Sequence, residues 1–113
     1  MGSGTHMTPL QAAAKVKEYI DTHPLEQKTT QDLAEYVGVS RSLLQQFFYQ
    51  AYHIHIKKYY ASKKMQSAKQ LLQQGLAIKL VAKRCHYRSH SAFTTAFKNK
   101  FGLTPLAWLK QNP

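Results

Sequence analysis

One pattern occurs twice in this chain and leaves little choice about its fold. Leu33-Ala34, a short turn, Ser40, Leu44 and Phe48 match Val81-Ala82, a short turn, Ser89, Phe93 and Phe97. In each copy a serine stands four residues before the first apolar anchor, and the second anchor follows four residues later. A serine at that place caps a helix, because its hydroxyl accepts from a backbone N–H that the first turn leaves unpaired. Spacing by four then puts both anchors on one helical face. Each copy therefore reads as a short helix, a tight turn and a second helix with an apolar back, which is a helix-turn-helix. In the stretch SHSAFTTAFKNKFGLTP, Phe93, Phe97 and Phe101 hold the helix down while its small, polar and basic front stays free to enter a groove.

The rest of the chain is punctuated in the same language. Thr8-Pro9 opens a helix that carries Leu10, Ala13, Val16 and Ile20 and stops at His23-Pro24. Thr29 with Asp32 starts a short helix through Val37, the acid sitting where the dipole favours it. Gly38-Val39-Ser40 turns the chain into a third helix with Leu44, Phe47, Phe48 and Ala51 on one face. A long helix is predicted from about Ile56 to Gln74, ended by Gly75. Ile78 to Cys85 makes a fifth helix, Ser89 caps a sixth, and Thr104-Pro105 opens a last one. No segment alternates as a strand does. The expected fold is all-α, about seven helices forming two helix-turn-helix subdomains, at about 30–52 and 78–100, joined by a linker helix at about 56–74.

Charge indicates what such a fold would meet. All five carboxylates lie between Glu18 and Glu35, whereas Tyr36 to Pro113 holds 13 of the 16 lysines and arginines and no acid. Solvated surfaces normally mix signs, so a long acid-free stretch implies an extended polyanionic partner. A membrane would want basic residues opposite a broad apolar stripe on one interfacial helix. Here the apolar residues are spread over several short helices and are better used in a core. No run of eighteen apolar residues and no signal-peptide core is present, and the lone cysteine, Cys85, has no internal partner. A cytoplasmic protein is expected. The opening MGSGTHM, residues 1–7, reads as an expression-tag remnant, leaving 8–113 as one DNA-binding domain.

The long helix fits that partner. About 19 residues at about 1.5 Å each span about 28 Å, near the roughly 34 Å between major grooves one turn apart on one face of DNA. Two recognition helices on such a rod are expected to occupy successive major grooves without dimerisation.

The residues DLAEYVGVS, LLQQFF, KKYY, KKMQSAKQLL, IKLVAKRCHY and SAFTTAFKNKFGLTP together resemble the double helix-turn-helix domain of the AraC/XylS family of bacterial transcription regulators. The resemblance covers about residues 12–110, and Phe97-Lys98-Asn99-Lys100-Phe101-Gly102-Leu103-Thr104-Pro105 is its most specific part. It implies binding to double-stranded promoter DNA, action on RNA polymerase, and a separate sensor or dimerisation domain that this chain lacks. The sequence departs from the family where glycines are expected: His86 stands in the second turn and His53 after the first recognition helix. Histidine enters left-handed backbone more readily than most side chains, so both turns are expected to form under some strain. Arginines common in the family are replaced by Gln46 and Thr95, and the linker-helix arginine by Lys64.

Helical phase selects the residues that face DNA. With Leu44 inward, Ser42, Gln46 and Tyr49 point outward and Gln45 lies on the flank; the second copy gives Ser91, Thr95, Lys98 and flanking Thr94. Glutamine pairs bidentately with adenine, while serine and threonine meet donors or acceptors, threonine offering a methyl to thymine. Arg41, Arg88 and His90 near the helix starts, with Lys57 and Lys58, suit phosphates.

Other chemistry has little support. Cys85, His86 and His90 lack a fourth ligand at metal spacing. Cys85 beside His86 makes no nucleophile pair, since adjacent helical residues point apart and that half holds no carboxylate to orient a base. Neither catalysis nor a cofactor is expected, and Cys85 reads as a small buried residue at a helix end. Against sequence-specific DNA binding stands one other class, a protein-interaction module in which Leu10, Tyr19 and the acidic N-terminal helix dock a sensor domain or polymerase.

Overall fold

A computed structural model describes residues 7–113. Among them are seven α-helices and no strand: α1 Pro9–Thr22, α2 Thr30–Val37, α3 Arg41–Tyr52, α4 Ile56–Gln73, α5 Ile78–Arg84, α6 His90–Phe101 and α7 Pro105–Gln111. The all-α expectation holds. Five hydroxyl side chains start helices as the sequence implies. Thr8, Thr29, Ser40, Ser89 and Thr104 each accept from the backbone N–H three residues on. At Thr8 and Thr29 the bond is reciprocal, through Gln11 and Asp32. Residues 1–6 of the opening segment lie outside the described part. Met7, grouped with them by sequence, packs against the first core cluster.

The chain forms two compact units that divide between Ala61 and Ser62, within α4. In the first, α1 and α2 pack on α3, enclosing Ala13, Val16, Ile20, Leu33, Leu44, Phe48 and Ile56. In the second, Met65, Ala68 and Leu72 of α4 are buried with Val81, Phe93, Phe97 and Trp108.

The internal repeat reaches further than the helix-turn-helix that the sequence revealed. In the first unit the Phe48 ring meets Tyr52 at 5.0 Å and Tyr59 at 5.5 Å. In the second, Phe97 meets Phe101 at 4.7 Å and Trp108 at 6.1 Å. All three pairs of equivalents, Phe48/Phe97, Tyr52/Phe101 and Tyr59/Trp108, lie 49 positions apart. A lysine lies over each cluster: Lys17 is 5.8 Å from both Tyr52 and Tyr59, and Lys69 is 4.4 Å from Phe101 and 5.2 Å from Trp108. The unit that repeats is thus four helical pieces. A supporting helix (α1, or the later part of α4) carries the lysine, a short helix and a recognition helix follow, and a last helix returns an aromatic ring to the recognition helix.

Left-handed residues end the recognition helices and one of the short helices. Gly38 caps α2 at φ 74° and His53 caps α3 at φ 57°. In the second unit Gly102 caps α6 at φ 82°, while His86, just after the Cys85 cap of α5, has φ 63°. The two turns that follow the short helix and the recognition helix thus carry a left-handed glycine and a left-handed histidine in each unit, with the two residue types exchanged, while Gly75, at φ 96° after α4, is a further left-handed glycine. The strained histidines expected from sequence are present, and they are the only non-glycine residues at positive φ among those described.

Candidate nucleic-acid interface

α3 and α6 are built alike. Ser40 accepts from Leu43 N–H at 3.2 Å and Ser89 from Ala92 N–H at 3.0 Å, so both helices begin where the alignment of the copies requires. The buried anchors Leu44 and Phe48, or Phe93 and Phe97, turn one face to the core. The opposite faces are exposed: Ser42, Gln45, Gln46 and Tyr49 on α3, and Ser91, Thr95 and Lys98 on α6. Arg41, Lys57, Lys58, Arg88 and His90 are exposed as well.

Thr94 departs from this set. It is half-buried, and its Oγ1 is enclosed without a hydrogen-bond partner. A hydroxyl turned into the protein offers nothing to a base edge. The flanking position in the first copy, Gln45, escapes this because its longer side chain reaches solvent.

Each unit gathers part of the expected residues around a concavity. Gln45, Gln46 and Tyr49 line a groove together with Gln50, His55, Ile56 and Lys57. Ser91 and Thr95 line a shallower one with Arg88, Ser89, Ala92, Ala96 and Asn99. Ser42, Lys58, Lys98, Arg41 and His90 lie outside both linings. Gln50, His55 and Asn99 were missed by the sequence reading. Gln50 and Asn99 follow Gln46 and Thr95 by four residues, so the phase argument carried one turn further finds them. His55 has no such signal, because it lies in the connection between α3 and α4 and is placed by its ring, stacked on Tyr49 at 4.6 Å and 22°.

Three supporting groups are held in their protonated form by hydrogen bonds or burial. Burial, with a hydrogen bond to Asp21, pushes the Tyr59 phenol up to about 12. The Tyr19 hydroxyl, donating to Glu26 Oε1 at 2.5 Å, is likewise raised to about 12. Burial pushes the Cys85 thiol up to about 11, so it stays protonated and packs as the small apolar residue expected at the end of α5. Asp21 also pairs with Lys17 at 3.0 Å, while Asp32 caps α2 and Glu35 accepts from Gln31 at 3.1 Å. The carboxylates are thus largely occupied within the first unit. Among the described residues neither groove lining contains one, and no group of three or more His, Cys, Asp or Glu is arranged to hold a metal. Among the described residues no helix is long and apolar enough to cross a membrane.

A family model described as a helix-turn-helix domain matches residues 33–111. The transcriptional regulator GbdR of Pseudomonas aeruginosa is 31% identical over 103 residues, which is 90% of this chain and 27% of that protein. The chain spans about a quarter of the length of the curated regulators it matches first. A transcriptional regulator of Chromobacterium violaceum with an AraC-type DNA-binding domain superposes with a TM-score of 0.78 at 32% identity, over 91% of this chain and 90% of the other. The DNA-binding domain of the global transcriptional factor AdpA, solved in complex with a target DNA, gives a TM-score of 0.80 at 24% identity, over 88% and 91% of the two chains. That last likeness is one of fold. With the matched family model spanning both helix-turn-helix copies and the structural neighbours sharing the fold, this chain belongs to the AraC-type helix-turn-helix family of transcription regulators.

Proposed function

We propose that this domain carries out sequence-specific DNA binding for transcription regulation through two reading surfaces, one on α3 and one on α6. The first uses Ser42, Gln45, Gln46 and Tyr49 towards base edges, the second Ser91, Thr95 and Lys98. Arg41, Lys57, Lys58, Arg88 and His90 serve the phosphates. The observation that carries this reading is the equivalence of the two units. The same capped helix, held by the same aromatic cluster, presents an exposed, carboxylate-free face twice in one chain. α4, with 18 residues and so about 27 Å long, supports occupation of two major grooves about one turn apart by a single chain.

Selection of bound sequences from random duplex DNA tests it. An enriched motif of two short blocks about 10 base pairs apart is expected; a single block, or no enrichment, contradicts it. In the longer proteins of the family the remaining length would hold a sensor or dimerisation domain. Leu10, exposed at the start of α1, the helix that carries Glu18 and Asp21 further along, is our candidate contact for such a domain or for RNA polymerase.

A further inference from the structure

Resting on the first reading surface proposed above, we infer that the His55 imidazole is a phosphodiester-binding group that takes up a proton as DNA is engaged. Three features of its placement point there. The His55 carbonyl accepts from Tyr59 N–H at 3.0 Å, which fixes its backbone at the start of α4. Its ring lies flat on Tyr49, a residue of the reading face. It lines the same groove as Gln45, Gln46 and Lys57, so a helix lying in a major groove would bring it beside the strand that borders that groove.

The groove around His55 offers no anion until a phosphate arrives. Tyr49 faces His55 from α3, with His53 edge-on to Tyr49 at 6.4 Å in the same connection. Lys57 joins the lining from α4, with Lys58 next to it. No carboxylate is among these groups. In the free protein the ring shares its groove with the Tyr49 ring, the amides of Gln45, Gln46 and Gln50 and the Lys57 ammonium, and with no anion. A phosphodiester supplies the missing anion and so raises the affinity of the ring for a proton. By linkage, proton uptake coupled to phosphate contact makes DNA binding tighten as pH falls.

The experiment titrates a duplex carrying the selected motif, and a scrambled duplex, against wild type, His55→Gln, His55→Phe and His55→Lys at pH 5.8, 6.5 and 8, at several salt concentrations. Thermal melts confirm that each variant is folded. Wild type should tighten several-fold from pH 8 to pH 5.8 on both duplexes. His55→Gln and His55→Phe should bind more weakly than wild type and show a clearly smaller gain from pH 8 to pH 5.8, what remains belonging to His90, with the salt slope of His55→Phe smaller by about one unit at pH 5.8. His55→Lys should bind tightly at every pH. Because Phe keeps the stack on Tyr49 but carries no proton, wild-type behaviour of His55→Phe would overturn the inference, as would an unchanged pH dependence in His55→Gln. Failure of wild type to prefer any duplex would instead remove the reading surface on which the inference rests.

Discussion

On the proposed reading, Gln46 and Lys58, two exposed residues of neighbouring helices, divide the work of one surface. Gln46 sits mid-helix on the exposed face of α3, where its amide can meet an adenine's acceptor and donor together. Lys58 has only a mobile charge to offer a phosphate. Gln46→Ala should cost roughly 1–3 kcal/mol on the preferred duplex and little on random DNA, whereas Lys58→Ala should weaken both alike and lower the salt slope by about one unit. Titrations of both variants on both duplexes check this; equal loss for Gln46→Ala on the two would place it off the bases. Thr94 gives a contrasting expectation. Thr94→Val replaces an enclosed, unpartnered hydroxyl with a methyl of the same shape and should raise stability by about 1 kcal/mol while leaving affinity unchanged. These faces were legible in the sequence because two buried anchors fix helical phase, and phase fixes what points outward. Thr94 was not, since it lies at the margin between faces, where the depth of the neighbouring core decides. His53 and His86 were legible because a turn that needs left-handed backbone needs it whichever residue is there. His53→Gly should be neutral or stabilising by up to about 1 kcal/mol in a thermal melt, the lost strain being offset by the greater freedom of glycine in the unfolded chain.

Among the elements, α2 and α6 depend on different forces. α2 is eight residues long, too short to persist alone, and its start is held by the reciprocal bonds of Thr29 and Asp32. The Thr29 backbone N–H, then its side chain, holds the Asp32 carboxyl below the ordinary 3.8. A depressed carboxylate contributes stability that is present above its unfolded value and is lost as pH falls through the folded one. Wild type should therefore melt above Asp32→Asn at pH 6, with the gap closing once pH drops below about 3.8. A gap independent of pH would contradict the assigned bond. α6 relies on packing instead. Phe97 is fully buried and joins Phe93, Phe101 and Trp108, so Phe97→Ala should cost roughly 3–5 kcal/mol in denaturant unfolding. Helix starts could be read from the sequence because caps and their partners lie three residues apart. The lysine-covered aromatic clusters could not, because Lys17 with Tyr59 and Lys69 with Trp108 are brought together only by folding and no local spacing marks them.

For the molecule as a whole, the charge separation is what joins fold to function. Carboxylates confined to the first 35 residues, and there largely engaged in caps and hydrogen bonds, leave both exposed recognition faces basic or neutral. On the proposed reading, a single chain with two such faces reads two half-sites without a partner copy. Its affinity should fall steeply with salt, as a polyanion-binding surface requires and an apolar protein interface does not. The most direct measurement is hydroxyl-radical footprinting of the monomeric domain on its selected duplex, repeated with five base pairs inserted between the two blocks of the motif. Two protected segments about 10 base pairs apart are predicted, with the insertion abolishing simultaneous protection because it rotates one block by about half a turn. A single protected segment, or a double footprint that survives the insertion, would contradict the reading of both grooves by one chain.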